Sequence, residues 1–260
     1  MSDVPSRPRL SGIVIAKDAG ATLERCLKSM RFCDQLVVVV DSESRDNTET
    51  IARTLADNVE THVWDGFGRT KSHAASLACG HWVLSIDADE EVTPQLAEAI
   101  GQFIASPPID VNACQFRRRT RFLGRYLVHG DWGRDRVQRL FRNGKAQFSD
   151  ALIHESVRAE GPHPILSGWL LHEGEVTLDC HRVRQDRYTS LAAGAMLEKG
   201  RKATLIGQLA KPPVRFLRSY LWRLGFLDGW PGLAQAWFSA RYVYMRNSKA
   251  RAMASHPGGV

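Results

Sequence analysis

No apolar run in this sequence approaches the roughly 20 residues needed to cross a bilayer, so no transmembrane span is expected. No glycine-rich phosphate loop is present. Neither G-x-G-x-x-G nor G-x-x-x-x-G-K-[ST] occurs, which argues against a dinucleotide dehydrogenase or a P-loop NTPase. Cysteine is scarce and unpatterned. The five residues Cys26, Cys33, Cys79, Cys114 and Cys180 are odd in number and lack any close metal-type or redox-type spacing. The first residues lack the apolar stretch of a secretory leader. Together these absences predict a reducing, cytoplasmic setting. Repeats and low-complexity tracts are missing too. Acidic residues are in deficit: 35 Lys and Arg against 28 Asp and Glu leave a formal net charge of +7. That balance favours polyanionic partners (phosphorylated substrates, an anionic membrane or nucleic acid) without choosing among them.

What is present suits a globular enzyme-sized chain. Its 260 residues, 43% of them hydrophobic, are enough to bury a full core without staples. Leu10 to Ala16 and Gln35 to Val40 are short β-branched runs of the kind that form buried strands. Val59 to Val63 reads as a weaker strand and His81 to Ile86 as a fourth. Between them lie helical stretches. One follows Thr22, and one follows Asp46-Asn47-Thr48-Glu49, where a capping box is expected. Another covers Gly66 to Ala78, and one opens at Thr93-Pro94, an N-cap followed by proline. Alternating strands and helices predict an α/β fold with a mostly parallel sheet flanked by helices. Short strands with many arginines follow from Cys114, and from Asp179 the pattern turns helical. The expected division is a catalytic domain over 1–178, with halves at about 9–106 and 107–178, and a helical extension over 179–260.

In sheets of this kind, ligands bind beyond the carboxyl ends of the strands. Asp18, Asp41 and the pair Asp87 and Asp89 all stand just after predicted strands. Two carboxylates at i and i+2 of an extended segment share a side and can hold a hard divalent cation, Mg²⁺ or Mn²⁺, with positions left open for phosphate oxygens.

Three segments, SGIVIAKDAGATLERCLKSM, VVVVDSESRDNT and HWVLSIDADEEVTP, resemble the donor-binding half of family 2 inverting glycosyltransferases. Asp135-Arg136-Val137-Gln138-Arg139-Leu140-Phe141-Arg142, Ile153-His154-Glu155 and Gly225-Phe226-Leu227-Asp228-Gly229 extend the resemblance toward the lipopolysaccharide core β-glucosyltransferase subgroup. The resemblance implies a GT-A (Rossmann-like) sheet with a helical C-terminal extension. It implies a nucleotide-sugar donor, UDP-linked and carrying glucose, and a glycolipid acceptor, a lipopolysaccharide core sugar. Carried over by position, Asp41 faces the nucleotide base, Asp87 the ribose and metal, and Asp89 the metal. Lys71 approaches the diphosphate. Where such enzymes carry Lys-Asn-Glu after the first strand, this chain has Lys17-Asp18-Ala19, leaving Asp18 as the substitute for the missing glutamate.

Inverting transfer needs a base for the acceptor hydroxyl. Glu155 is the first candidate, Asp135 the second, with Asp131 also in reach of the role. His154 is a candidate third metal ligand. Arg117, Arg118, Arg119 and Arg121, and then Arg134, Arg136, Arg139 and Arg142, form clusters suited to a phosphorylated acceptor. From Lys211 to Arg251 the chain interleaves Phe216, Tyr220, Trp222, Trp230 and Trp237 with basic residues, and Asp228 is its single acid. That composition predicts peripheral contact with an anionic membrane at the inner face of the cytoplasmic membrane. Two alternatives stand beside the leading reading: the same chemistry on another polysaccharide or lipid-linked acceptor, and, distantly, a basic nucleic-acid-binding protein. No nucleic-acid partner is expected, because acidic strand ends repel phosphate unless a metal intervenes.

Overall fold

The computed structural model describes residues 9–149, 157–173 and 177–255. They fall into two compact units. The first holds residues up to Arg118 together with Arg136–His172, and the second holds Arg119–Asp135 with the chain from Glu173 onward. The division is not a single cut near residue 178, because the segment Arg119–Asp135 goes with the helical part.

In the first unit the expected alternation is realised. Strand β1 (Leu10–Ala16) leads to α1 (Leu23–Ser29), β2 (Gln35–Asp41), α2 (Thr48–Leu55), β3 (Asn58–His62), α3 (Phe67–Ser76) and β4 (Trp82–Asp87). The short β5 (Glu90–Val92) and α4 (Pro94–Ala105) follow. Next come β6 (Ala113–Phe122), whose last residues belong to the second unit, and β7 (Arg125–Tyr126) within that unit. The chain then returns through β8 (Arg136–Arg142), β9 (Ala146–Phe148), β10 (Val157–Ala159) and β11 (Ile165–Glu173).

The order across the main sheet is β3-β2-β1-β4-β8-β6-β11-β5. Strands β3, β2, β1 and β4 run parallel. Beyond β4 the neighbours β8 and β6 pair antiparallel, as do β11 and β5. The expected α/β class is therefore met by a parallel half continued by antiparallel strands. The β-branched runs explain the parallel half. β1 is buried along its length, and Val37 to Val40 are almost wholly inside, as expected for strands covered on both faces. One core layer gathers Val14, Leu27, Val38, Leu84, Leu96 and Phe116, and a second gathers Ile13, Val37, Val39, Val83 and Phe141. Gly168 has φ +100°, and a Cβ there would lie 2.5 Å from the Leu96 nitrogen. Only glycine lets β11 come this close to the start of α4.

Two local expectations separate. Thr93 caps α4 as expected, its hydroxyl accepting from the Leu96 N–H at 3.4 Å. The capping box at Asp46 does not form. Asn47 precedes α2, and Asp46 instead accepts from the N–H groups of Thr48 at 3.0 Å and Gly20 at 2.8 Å. Glu49 pairs with Arg53 one turn later. Asp46 ties the loop after β1 to the loop after β2, a tertiary demand that a local helix signal does not reveal.

In the second unit, α5 (Leu178–Glu198), α6 (Leu205–Leu209), α7 (Lys211–Leu217) and α8 (Gly229–Ser255) confirm the helical C-terminal region. Phe122, Leu127, Ala234 and Phe238 form its core, with His181 and Trp132 packed edge-on around Phe122. Asp228 is buried and accepts from the Val128 and His129 N–H groups at 3.0 and 2.8 Å and from the His129 ring at 2.9 Å. The acid of the Gly225–Gly229 motif thus holds the β7 hairpin's exit. No helix of the described residues is long and apolar enough to cross a membrane.

Candidate functional site

The carboxyl ends of the parallel strands carry the expected acids. Asp41 is the last residue of β2 and is buried. It accepts from the Glu43 N–H at 3.0 Å, and Lys17 brings its ammonium to 2.5 Å of the other oxygen. Burial alone would raise the Asp41 carboxyl, but the Lys17 contact and the Glu43 N–H outweigh it and hold the group below the ordinary carboxylate range. Asp18 follows β1 with φ +47° and accepts from the Arg45 N–H at 2.8 Å. Its carboxylate shapes the loop beside Asp41.

Asp87 ends β4 among cations. Lys71, only 1% exposed on α3, donates to one carboxylate oxygen at 2.6 Å. Arg139 on β8 donates to the other. Burial pushes this carboxyl up; the charges of Arg139 and then Lys71 outweigh that and hold it well below the usual range. Lys71, expected near a diphosphate, is in this structure the buried counter-charge of Asp87.

Glu90 went unnoticed in the sequence. It is fully buried, accepts from the Asp87 N–H at 3.1 Å, and takes Arg118 at 3.0 Å and Arg139 at 2.8 Å on its other oxygen. Three cations, Lys71, Arg118 and Arg139, therefore meet the buried Glu90 and the partly exposed Asp87. A buried ion pair is stable only when its remaining lone pairs and protons are also satisfied, and here most are. Arg118 and Arg139 fall within the clusters expected to meet a phosphorylated acceptor. They are engaged in holding Asp87 and Glu90.

Asp89 differs from Asp87. It sits in the two-residue turn between β4 and β5, so the two aspartates are not rungs of one extended edge. Its side chain is 43% exposed, with the His172 Nε2 at 3.3 Å. His172 lies opposite Glu90 in the β11–β5 pairing. A solvent-reaching carboxylate beside an imidazole nitrogen is a donor set that fits a divalent cation with further positions open. Both oxygens of Asp87 face cations already, so its fit as a direct ligand is poorer. His172 had no local signal in the sequence. It stands 83 positions after Asp89 and reaches it only through strand pairing.

His154 and Glu155 lie outside the described residues. Asp135 follows the 3-10 turn Trp132–Arg134 in the second unit, half-buried, its N–H on the Trp132 carbonyl at 3.2 Å. Asp131 is 5% exposed in its side chain, with Arg215 at 2.8 Å and with Arg223 and Arg218 beside it. Those three arginines lie in or next to the helical turns of residues 211–223 and tie Asp131 to them.

Residues 11–157 match the family model Glycosyl transferase family 2. The chain is 28% identical, over 95% of its length and 96% of the relative's, to the lipopolysaccharide core biosynthesis glycosyltransferase LpsC of Rhizobium meliloti (strain 1021). It is 26% identical to an uncharacterized glycosyltransferase of Rickettsia prowazekii (strain Madrid E), over 94% of this chain and 87% of that one. Among solved structures, glucosyl-3-phosphoglycerate synthase from Mycobacterium tuberculosis with Mg²⁺ and UDP aligns at a TM-score of 0.37 and 20% identity, covering 45% of this chain and 44% of that one.

Proposed function

This chain belongs to glycosyl transferase family 2, and on that premise we propose that it moves glucose, with inversion, from UDP-glucose to a lipopolysaccharide core sugar. The observation that carries the proposal is the pairing of Asp87, held by two cations, with a more exposed Asp89 at the carboxyl edge of the parallel strands. The core acceptor is favoured by the likeness to LpsC, whose name states core biosynthesis.

Roles follow from placement. Asp41, at the end of β2, receives the base, with Lys17 and Asp18 shaping its loop. Asp87 is fixed toward the ribose side by Lys71 and Arg139, and Glu90 fixes Arg139 and Arg118 in turn. Asp89 with His172 would hold Mg²⁺ or Mn²⁺. When bound, that ion offsets the charge that gathers on the departing diphosphate. A carboxylate, Glu155 first and Asp135 second, takes the proton of the acceptor hydroxyl. The freed oxygen attacks the anomeric carbon as the bond to the diphosphate breaks, so configuration inverts.

A lipid-linked acceptor suits the helical unit. Trp222 is 85% exposed and Trp230 and Trp237 more than 60%, in the same stretch of sequence as exposed Leu217, Leu221 and Leu227 and the partly exposed Arg215 and Arg218. Aromatic and basic residues together favour the interface of an anionic bilayer, so we place the protein peripherally on the inner face of the cytoplasmic membrane. The second reading, another lipid-linked or polysaccharide acceptor, shares this feature. Mass spectrometry of truncated core acceptors and of other lipid-linked acceptors after incubation with UDP-glucose separates the two. A gain of one hexose on the core acceptor alone supports the first reading. A gain only on another acceptor supports the second, and no gain with any nucleotide sugar refutes both.

A further inference from the structure

Away from the strand-end acids, β3 and α3 bring three ligand-type side chains together. Glu60 and His62 are two residues apart on β3 and so share a side of the strand. His73 stands near the end of α3. Its Nε2 lies 2.8 Å from a Glu60 carboxylate oxygen, and its ring stacks on His62 with centroids 4.3 Å apart and planes at 19°. One ligand atom from each residue lies within 4.8 Å of the other two, and all three side chains are half-buried. Among the described residues this is the one three-member group of His, Cys, Asp or Glu so arranged.

From this geometry we infer that Glu60, His62 and His73 form a binding site for a borderline transition-metal ion, zinc first. Two imidazoles and one carboxylate match the donors that zinc takes in three-ligand sites, with a fourth position left to water. The same set is a poor match for Mg²⁺, which demands oxygen donors in near-ideal octahedral array. Zinc ligands stand about 2.0–2.1 Å from the ion, so the three atoms must draw inward. Half-buried side chains do this by rotation about their χ angles, and the His62 and His73 rings must unstack partly to aim their nitrogens at one point.

The site differs from that at Asp89 in donors, in place and in consequence. His62 is in register with Asp41 across β2 and β3, and His73 is two residues beyond Lys71 on α3. An ion here ties the edge strand to the helix that carries the counter-charge of Asp87. It acts as a clip on the scaffold and takes no part in sugar transfer. The inference does not depend on the transfer reaction, and its test reads no activity.

The experiment uses the metal-stripped, untagged full chain labelled with ¹⁵N, titrated with ZnCl₂ and followed through its histidine ring signals. Of the nine histidines, the ring signals of two, His62 and His73, should move first and together, at one equivalent of zinc. Calorimetry should give micromolar or tighter binding, and Mg²⁺ in large excess should not displace the zinc. His73→Asn should weaken binding by roughly 10–100-fold or more, and Glu60→Gln by less, whereas Asp89→Ala should leave it unchanged. Zinc should raise the thermal midpoint of the native chain but not of His73→Asn. Movement confined to other histidines, binding weaker than millimolar, or equal affinity in a folded His73→Asn variant overturns the inference. The ring signals of the native chain decide the matter even if that variant fails to fold.

Discussion

Each unit of the molecule sets an aspartate among cations, yet we give catalytic work to only one of these clusters. In the first unit, Asp87 is held by Lys71 and Arg139. In the second, Asp131 is held by Arg215, Arg218 and Arg223. The difference lies in what adjoins them. Asp87 ends a parallel strand, and two residues on, Asp89 reaches solvent beside His172. Asp131 leads into a short 3-10 turn and is tied to the helical turns of residues 211–223. A buried charge cluster alone is therefore weak testimony of function. An open ligand next to a locked one, at a strand's carboxyl end, is stronger. The units differ in surface too. Of the exposed large apolar side chains among the described residues, Val63, Phe67 and Ile109 belong to the first unit and the rest to the second.

The largest effect should come from unlocking Asp87. Asp87→Ala removes the carboxylate that the buried Lys71 and Arg139 both face. Removing a carboxylate that is 29% exposed from beside a buried lysine costs about 1–3 kcal/mol, readable by chemical denaturation. Combining it with Lys71→Met should recover part of the loss; no recovery breaks the view that Lys71 is there to balance Asp87. Next, Asp89→Ala should leave stability within about 0.5 kcal/mol of native while lowering the transfer rate on the order of 10²–10³-fold. A variant that unfolds instead would erase the contrast between the locked and the open aspartate. Smaller again, Trp222→Ser with Trp230→Ser should weaken binding to anionic vesicles roughly tenfold with the circular dichroism unchanged. Unaltered co-sedimentation removes the lipid role of the second unit.

The smallest effect is in acid. Asp41 and Asp87 sit below their ordinary values in the folded protein, so their contribution to stability is present above the unfolded aspartate value near 3.9 and is lost as pH falls toward the folded values. Denaturant midpoints should be flat from neutrality to about pH 5 and then decline. The decline should be shallower in Asp41→Asn, and an equal slope breaks the assignment.

Much of the fold was open to reading because its signals are local. The Leu10–Ala16 and Val37–Val40 runs, the Thr93-Pro94 start and the helical pattern from Asp179 concern residues within a turn or two of each other. The capping box failed where a local signal met a distant partner, Asp46 being drawn to Gly20. The site divides in the same way. Asp41, Asp87 and Asp89 follow apolar strands and were visible. Glu90 and His172 were not, because their roles arise from β5, β6, β8 and β11 meeting across long sequence separations. Arg118 and Arg139 looked like ligand-binding charges because the acids they hold stand 28 and 49 residues away.

The central claim is that Asp89 makes this edge a metal-assisted donor site. Calorimetry of UDP-glucose binding, with and without Mn²⁺, to the native chain and to Asp89→Ala tests it most directly. We predict binding that needs Mn²⁺ and is lost in Asp89→Ala while the variant stays folded. Equal binding by the variant, or none by the native chain with Mn²⁺ present, would contradict the claim.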